Sequence, residues 1–148
     1  MNLAWSGQEQ IAASTSAVWS FINDPQKIAS CLPDVQSVDV TDAHNFDATV
    51  KIAVGPVRGN FKFTITLIPA PSANHMDLKI AGGGFGSVVN LLAGADLRGN
   101  GSTTLDWKGS ATVSGPIATI GGRVLDAQAH RVISTTFDNV KNAVQRTA

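Results

Sequence analysis

Residues 61–67 read Phe-Lys-Phe-Thr-Ile-Thr-Leu, and this strict alternation of apolar and polar side chains is typical of a strand with one buried face. The same period of two recurs in most segments between Leu3 and Val113. Turn-forming residues separate these segments at 42–45, 55–56, 69–74 and 98–102. The pattern therefore predicts half-buried antiparallel strands that follow one another as a meander.

The apolar period changes to helical spacing after Ser14, whose hydroxyl can cap a helix N-terminus. The first short helix is predicted to reach Asp24 and to end at Pro25. A second short helix over 26–31 stops there, because the residue before Pro33 is disfavoured in helical geometry. Two short helices are therefore expected after the first strand.

A long C-terminal helix is predicted from Pro116 to about Val144, because proline suits a first helical position and none interrupts the segment afterwards. Apolar and small residues at helical spacing form one stripe along this helix, namely Ala118, Gly122, Leu125, Ala129, Val132, Ile133, Thr136, Val140 and Val144. The small residues in the first half of the stripe allow either close packing against the sheet or space for a ligand. The chain is thus predicted to have an α+β fold in which a sheet packs on this helix.

The composition indicates one soluble domain over residues 1–148, since 43% of the residues are hydrophobic, enough for a single core. Eleven Lys and Arg residues balance eleven Asp and Glu residues, which gives no sign of nucleic-acid binding. Cys31 is the single cysteine, which excludes an internal disulfide and favours the reducing cytoplasm. We expect neither a secretion signal nor a membrane-spanning helix, which needs about 20 apolar residues.

Catalytic and metal-binding groups do not converge in the sequence pattern. The three histidines lack the spacing of metal ligands, and the aspartates of the strands fall on the outward phase. Glu9 shares the inward phase of its strand, although a solvent-facing position is favoured near the strand end. Cys31 is expected to be buried and structural rather than nucleophilic. We therefore expect no catalytic residue, no metal site and no cofactor.

Residues 82–86, Gly-Gly-Gly-Phe-Gly, are similar to a phosphate-binding loop in composition only. Such a loop leads into a helix N-terminus, whereas the chain from Ser87 onward alternates like another strand. The segment predicts a hairpin with Phe85 at its tip. An exposed Phe85 leaves open a contact with a membrane interface or with a partner protein.

Three motifs carry a resemblance to a known family. They are Asp-Pro at 24–25 followed by Cys-Leu-Pro-Asp at 31–34, Val-Gly-Pro-Val-Arg-Gly-Asn-Phe at 54–61, and Gly-Pro-Ile-Ala at 115–118 followed by Gly-Gly-Arg at 121–123 and Phe137. The chain resembles the carbon monoxide dehydrogenase CoxG family, which belongs to the START-like, polyketide-cyclase-related (SRPBCC) superfamily. It departs from the family pattern at Asp34, where glycine is typical.

The resemblance implies a helix-grip fold: a curved antiparallel sheet of about seven strands around the long helix, enclosing a hydrophobic cavity in a single START-like ligand-binding domain. It also implies a non-catalytic accessory role beside a CO dehydrogenase-type molybdenum hydroxylase, in membrane recruitment or electron transfer. The implied partners are an apolar small molecule, quinone or lipid, the molybdenum hydroxylase subunits, and a peripheral membrane contact. The expected location is the cytoplasm, with the inner face of the membrane as an alternative.

The candidate cavity residues are apolar or small residues on the inward phases of the strands, on the short helices and on the first half of the long helix. They are Ile28, Leu32, Val50, Ile52, Phe61, Phe63, Leu78, Ile80, Leu91, Leu105, Trp107, Gly122, Leu125 and Ala129. Ordinary core packing is the alternative role for each of them. Two other functions stay open: a small-molecule cyclase or hydrolase, which would need paired polar groups inside the cavity, and a protein-docking module that holds no ligand.

Overall fold

The alternating segments form one antiparallel sheet in a computed structural model, which describes residues 1–147. Its strands are β1 (Asn2–Ile11), β2 (Val35–Val40), β3 (Asn45–Val54), β4 (Val57–Ala70), β5 (His75–Gly84), β6 (Ser87–Gly99) and β7 (Thr103–Ser114). The order across the sheet is β1-β7-β6-β5-β4-β3-β2, so β2 to β7 form a meander and β1 pairs with the last strand. The predicted seven-stranded sheet is confirmed.

Three α-helices and two short 3-10 segments complete the described chain. They are α1 (Thr15–Ile22), α2 (Pro25–Cys31) and α3 (Gly122–Thr147), with 3-10 turns at Pro71–Ala73 and Pro116–Ile120. The side chain of Ser14 accepts a hydrogen bond from the Ala17 N–H and caps α1 as predicted. Pro25 both follows α1 and begins α2, where the missing N–H of proline costs nothing.

The long helix begins later than predicted. The chain from Pro116 to Ile120 forms a 3-10 turn, and Gly121 then adopts a φ of +103°, outside helical geometry. The turn is held by a hydrogen bond of 2.9 Å from the Ile117 N–H to the Ser87 hydroxyl oxygen. The helix therefore starts at Gly122, and the buried side chain of Ile117 closes one end of the fold.

Strand register places the inward side chains of neighbouring strands opposite one another. Phe61 is paired with Val50, and Phe63 with Ala48. The outward neighbour Lys62 is exposed, so the two-residue period in the sequence corresponds to the two faces of the sheet. The inner face of the sheet packs against α3, as predicted for a helix-grip fold.

The core has two parts, separated along the helix. We call the larger part the closed core; its buried residues are Ile11, Ala13, Val18, Phe21, Ile22, Ala29, Cys31, Phe46, Ala48, Ile65, Leu67, Met76, Leu97, Leu105, Val140 and Val144. We call the smaller part the cap cluster; its buried residues are Phe61, Val113, Ile117 and Leu125. Between them several inward-facing side chains, including Val50, Phe63 and Leu91, are only half-buried. The space between the sheet and α3 is therefore not filled in the region between the two parts of the core.

Candidate ligand cavity

A cavity of about 260 Å³ lies between the inner face of the sheet and the first half of α3. Ala48 and Ile65 of the closed core form its floor, and the cap cluster borders the other side. From α3 it receives Ala129 and Ile133. An apolar space of this kind, between sheet and helix, is the usual form of a small-molecule site.

The structure brings nine of the fourteen predicted cavity residues together around this space. They are Leu32, Val50, Ile52, Phe61, Phe63, Ile80, Leu91, Leu125 and Ala129. The strand residues among them follow the inward phase, and Leu32 reaches the space from the end of α2. Their role in binding a ligand is taken up below as a proposal.

The other five predicted residues do not line the cavity. Leu105 is 2% exposed within the closed core, and Leu78 and Ile28 pack against that core. Trp107 faces a more C-terminal part of α3, where the centroid of its ring lies 5.4 Å from that of Phe137.

Gly122 stands at the start of α3, and a Cβ atom built there would be 4.0 Å from the sulfur of Met1. It therefore lies beyond the lined space. Leu78, Leu105 and Trp107 do face the interior, but at positions along their strands that do not border this space.

Several lining residues were not among the candidates. Val132 and Ile133 extend the lining one turn further along α3, and Ala111 and Val113 replace Trp107 as the contribution of β7. Both pairs carried a usable signal, because they fall on the predicted apolar stripe and on the predicted inward phase. Trp5 also lines the cavity from β1 and is 8% exposed.

Three polar residues, Asp34, Lys51 and Gln128, belong to the described lining, and the exposure of Asp34 and Lys51 places the mouth of the cavity on this side. Because Val50 and Ile52 face inward, the alternation of β3 directs the Lys51 side chain to the outward face of the sheet. Asp34 follows α2, and its Oδ2 accepts a hydrogen bond of 2.7 Å from Nη2 of Arg131 on α3. A second link, 2.9 Å from the Asn139 amide to the Cys31 carbonyl, fastens the same loop to the helix.

The opposite side of α3 is joined to β1 by polar side chains. Trp5 donates a hydrogen bond of 2.7 Å from Nε1 to Asp126. Glu9 forms an ion pair of 2.8 Å with Lys141, and its carboxylate also accepts from the indole of Trp107 at 3.4 Å. Glu9 is half-buried against the helix, so the expected solvent-facing position is wrong. These contacts hold the helix in place, and among their residues Trp5 also lines the cavity.

Two titratable residues with shifted pKa values, Cys31 and His75, lie outside the cavity. Burial raises the pKa of the Cys31 thiol, which keeps it protonated and weakly nucleophilic. His75 bridges Asp96 and Asp77 on the outward face of the sheet, and these hydrogen bonds raise the pKa of its ring. Among the described lining residues, Asp34 and Lys51 are the charged ones.

Within residues 1–147, His, Cys, Asp and Glu do not gather in groups of three that could hold a metal ion. None of the described helices is both long and apolar enough to span a membrane.

Solved structures of similar shape were found for the whole chain. A conserved protein from Geobacillus kaustophilus is 25% identical, with a TM-score of 0.87 over 99% of this chain and 97% of that chain. A START superfamily protein from Mycobacterium smegmatis is 14% identical, with a TM-score of 0.75 over 98% of this chain and 99% of that chain. An aromatase/cyclase from a Streptomyces species is 13% identical, with a TM-score of 0.71 over 99% and 95%. The last two likenesses show a START-like fold.

No curated protein matches the chain. The profile of the carbon monoxide dehydrogenase CoxG family matches residues 7–145, which is nearly all of the sequence. This match covers every strand except the start of β1, and it includes the cavity lining from Leu32 to Ile133. The chain therefore belongs to the CoxG family, which is named for one of the subunits of carbon monoxide dehydrogenase.

Proposed function

We propose that this protein is a non-catalytic carrier that holds an apolar molecule, a quinone or a lipid, for a CO dehydrogenase-type molybdenum hydroxylase. The observation that carries the proposal is the apolar cavity between the sheet and α3, whose polar lining is confined to the mouth. Burial of apolar ligand surface there is favourable by roughly 25 cal/mol per Å² and needs no reactive group. The site is therefore suited to binding a ligand through the apolar surface that it buries.

The size of the cavity limits what enters it. Its volume of about 260 Å³ is slightly below the roughly 300–1,000 Å³ of typical drug-sized sites. We expect it to enclose one ring or part of a slender acyl or prenyl chain. The remainder of a larger ligand would extend through the mouth beside Gln128.

Family membership supports the choice of partner. The family carries the name of a CO dehydrogenase component, and an accessory role beside such an enzyme is consistent with a domain that offers binding rather than chemistry. We further propose that the protein works in the cytoplasm and meets the membrane at its inner face, where quinones and lipids are available. Phe85, 63% exposed at the tip of the β5–β6 hairpin, is an apolar side chain that a membrane contact could use.

A small-molecule cyclase is the second candidate, because the fold is shared with an aromatase/cyclase. Such chemistry needs a positioned acid or base in contact with the substrate. Two polar residues of α3 do not supply one: His130 is exposed beside Asp126, and the Thr136 hydroxyl donates to the Val132 carbonyl. The described lining therefore favours the carrier over the enzyme.

The experiment is native mass spectrometry of the protein purified from its producing cells without detergent, followed by solvent extraction and analysis of the extract. We expect a bound species whose mass matches a quinone or lipid found in the extract. A protein that carries no such species and takes up neither an added menaquinone nor an added fatty acid would contradict the proposal. Turnover of an added substrate would favour the cyclase.

A further inference from the structure

We propose that Trp5, held in place by Asp126, is a specificity-determining residue that closes the cavity on its β1 side and limits the length of apolar chain that can be enclosed. The inference rests on the proposed function and concerns the same cavity. The mouth lies on the β3 side, where Asp34 is exposed, and Trp5 lines the cavity from β1. In the order of the sheet, β4 to β7 lie between these two strands. The cavity therefore runs across the sheet under α3 and ends at Trp5.

Trp5 supplies the bulk at this end of the cavity. Its register partner on β7 is Gly109, and Gly109 is paired in turn with Ala93 on β6. These neighbours share the inward phase but have little or no side chain, so they cannot close the end themselves. Trp5 is buried, yet it belongs to neither the closed core nor the cap cluster. Closure on the β1 side therefore depends on the indole ring.

The orientation of the indole is fixed by a carboxylate of α3. Nε1 of Trp5 donates to Oδ1 of Asp126 at 2.7 Å, the short distance typical of a hydrogen bond to a charged acceptor. The indole has no other polar group, so this bond satisfies the ring completely. Without an acceptor on α3 the buried N–H would lack a partner, and rotation of the ring toward water would restore one. Asp126 is thus a positioning residue that acts on the cavity through Trp5.

A second tryptophan of the sheet is bound to a carboxylate but does not border the cavity. Nε1 of Trp107 donates to Oε2 of Glu9 at 3.4 Å, and Trp107 packs on Phe137 outside the lining. The two pairs provide a matched comparison. Loss of either pair can lower stability, whereas a change in the length of ligand that fits is expected only from loss of the pair between Trp5 and Asp126.

The test is displacement of the neutral fluorophore N-phenyl-1-naphthylamine by the 1-alkanols from hexanol to tetradecanol. Each buried methylene group should tighten binding about fourfold, until the chain reaches Trp5 and further groups stay outside the mouth. The wild-type affinity should therefore level off within the series. Trp5→Ala should move the levelling point to a chain longer by about two or more carbon atoms, because the cavity then continues past the position of the ring.

Variants of Asp126 test its role without removing the ring. Asp126→Asn keeps a carbonyl oxygen that can accept from the indole, so it should retain the wild-type profile. Asp126→Leu removes the acceptor and should move the levelling point in the same direction as Trp5→Ala. In a Trp5→Phe background, which has no N–H, Asp126→Leu should have no further effect on the profile. Glu9→Leu is the control and should behave like wild type, and thermal unfolding would confirm that each variant is folded.

The outcomes distinguish this inference from the proposed function. An unchanged levelling point in folded Asp126→Leu or folded Trp5→Ala, or an equal change in Glu9→Leu, would overturn the role of Trp5 and Asp126 while leaving the carrier intact. A wild-type affinity that rises by the same factor up to tetradecanol would also overturn it, since no residue then limits the chain. A wild-type protein that binds neither the fluorophore nor any alcohol would overturn both.

Discussion

Asp34 and Arg131 join the loop after α2 to the middle of α3, with Oδ2 of Asp34 at 2.7 Å from Nη2 of Arg131 across the mouth of the cavity. Asp34 does so from a φ of +61°, in the left-handed region that favours glycine. At this position the chain therefore combines a less favourable backbone with an ion pair. The pair is half-exposed, and its net contribution to stability is expected to be below about 1 kcal/mol.

Two substitutions at Asp34 distinguish the effect of the backbone conformation on stability from the effect of the ion pair. Asp34→Gly removes the pair but relaxes the backbone, so its free energy of unfolding should stay within about 1 kcal/mol of wild type. Asp34→Ala removes the pair and keeps a Cβ in the left-handed region, so its free energy of unfolding should be lower than that of Asp34→Gly by about 1–2 kcal/mol. Urea unfolding measures both. Equal stability of the two variants would contradict the assignment of backbone strain to this position.

A side chain at Gly59 is expected to destabilise the fold because the ring of Phe85 packs directly against this residue. A Cβ atom at Gly59 would stand 2.1 Å from Cε2 of Phe85, and the backbone φ there is +147°. Gly59→Ala should lower the free energy of unfolding by about 1–3 kcal/mol, and adding Phe85→Ala should recover part of that loss. Gly101→Ala is the control, since nothing lies within 4 Å of its Cβ position. A double variant as unstable as the sum of its single changes would rule out the contact.

His75 makes stability depend on pH through its two carboxylate partners. Asp96 and Asp77 lie 2.6 and 2.7 Å from its ring nitrogens and raise its pKa above the ordinary value of 6.5. Because the folded-state pKa is the higher one, this contribution is fully present below about pH 6.5 and is lost as the pH rises through the raised pKa. Between about pH 6 and about pH 9 the unfolding free energy should fall more steeply for wild type than for His75→Gln. Parallel pH profiles would refute the linkage.

The sequence predicted the faces of the elements well, because a two-residue period directly reports which side chains of a strand share a side. FKFTITL at 61–67 is such a case, with Phe61, Ile65 and Leu67 buried as the alternation requires. The start of the long helix was harder to predict from the sequence. Pro116 does begin a helical turn, but the backbone of Gly121 then leaves helical geometry before α3 starts, and the sequence spacing alone does not encode that break.

Depth along the cavity could not be predicted in the same way. Trp107 and Ala111 share one inward phase of β7, yet Trp107 packs on Phe137 while Ala111 borders the open space. The difference depends on which part of α3 lies opposite each residue, a tertiary relationship absent from the local pattern. The same holds for Glu9, whose partner Lys141 is remote in the chain.

The central claim is that the interior of the sheet binds an apolar ligand, and neighbouring residues of β6 provide its most direct test. Leu91 lines the cavity, whereas Leu92 points outward and is 60% exposed. Titration with N-phenyl-1-naphthylamine would compare wild type, Leu91→Trp and Leu92→Trp, with Ala129→Trp filling the same space from α3 and thermal unfolding confirming that each variant is folded.

We predict that Leu91→Trp and Ala129→Trp lose about tenfold or more in affinity, while Leu92→Trp binds like wild type. Unchanged binding by folded Leu91→Trp and Ala129→Trp, or a loss confined to Leu92→Trp, would contradict it.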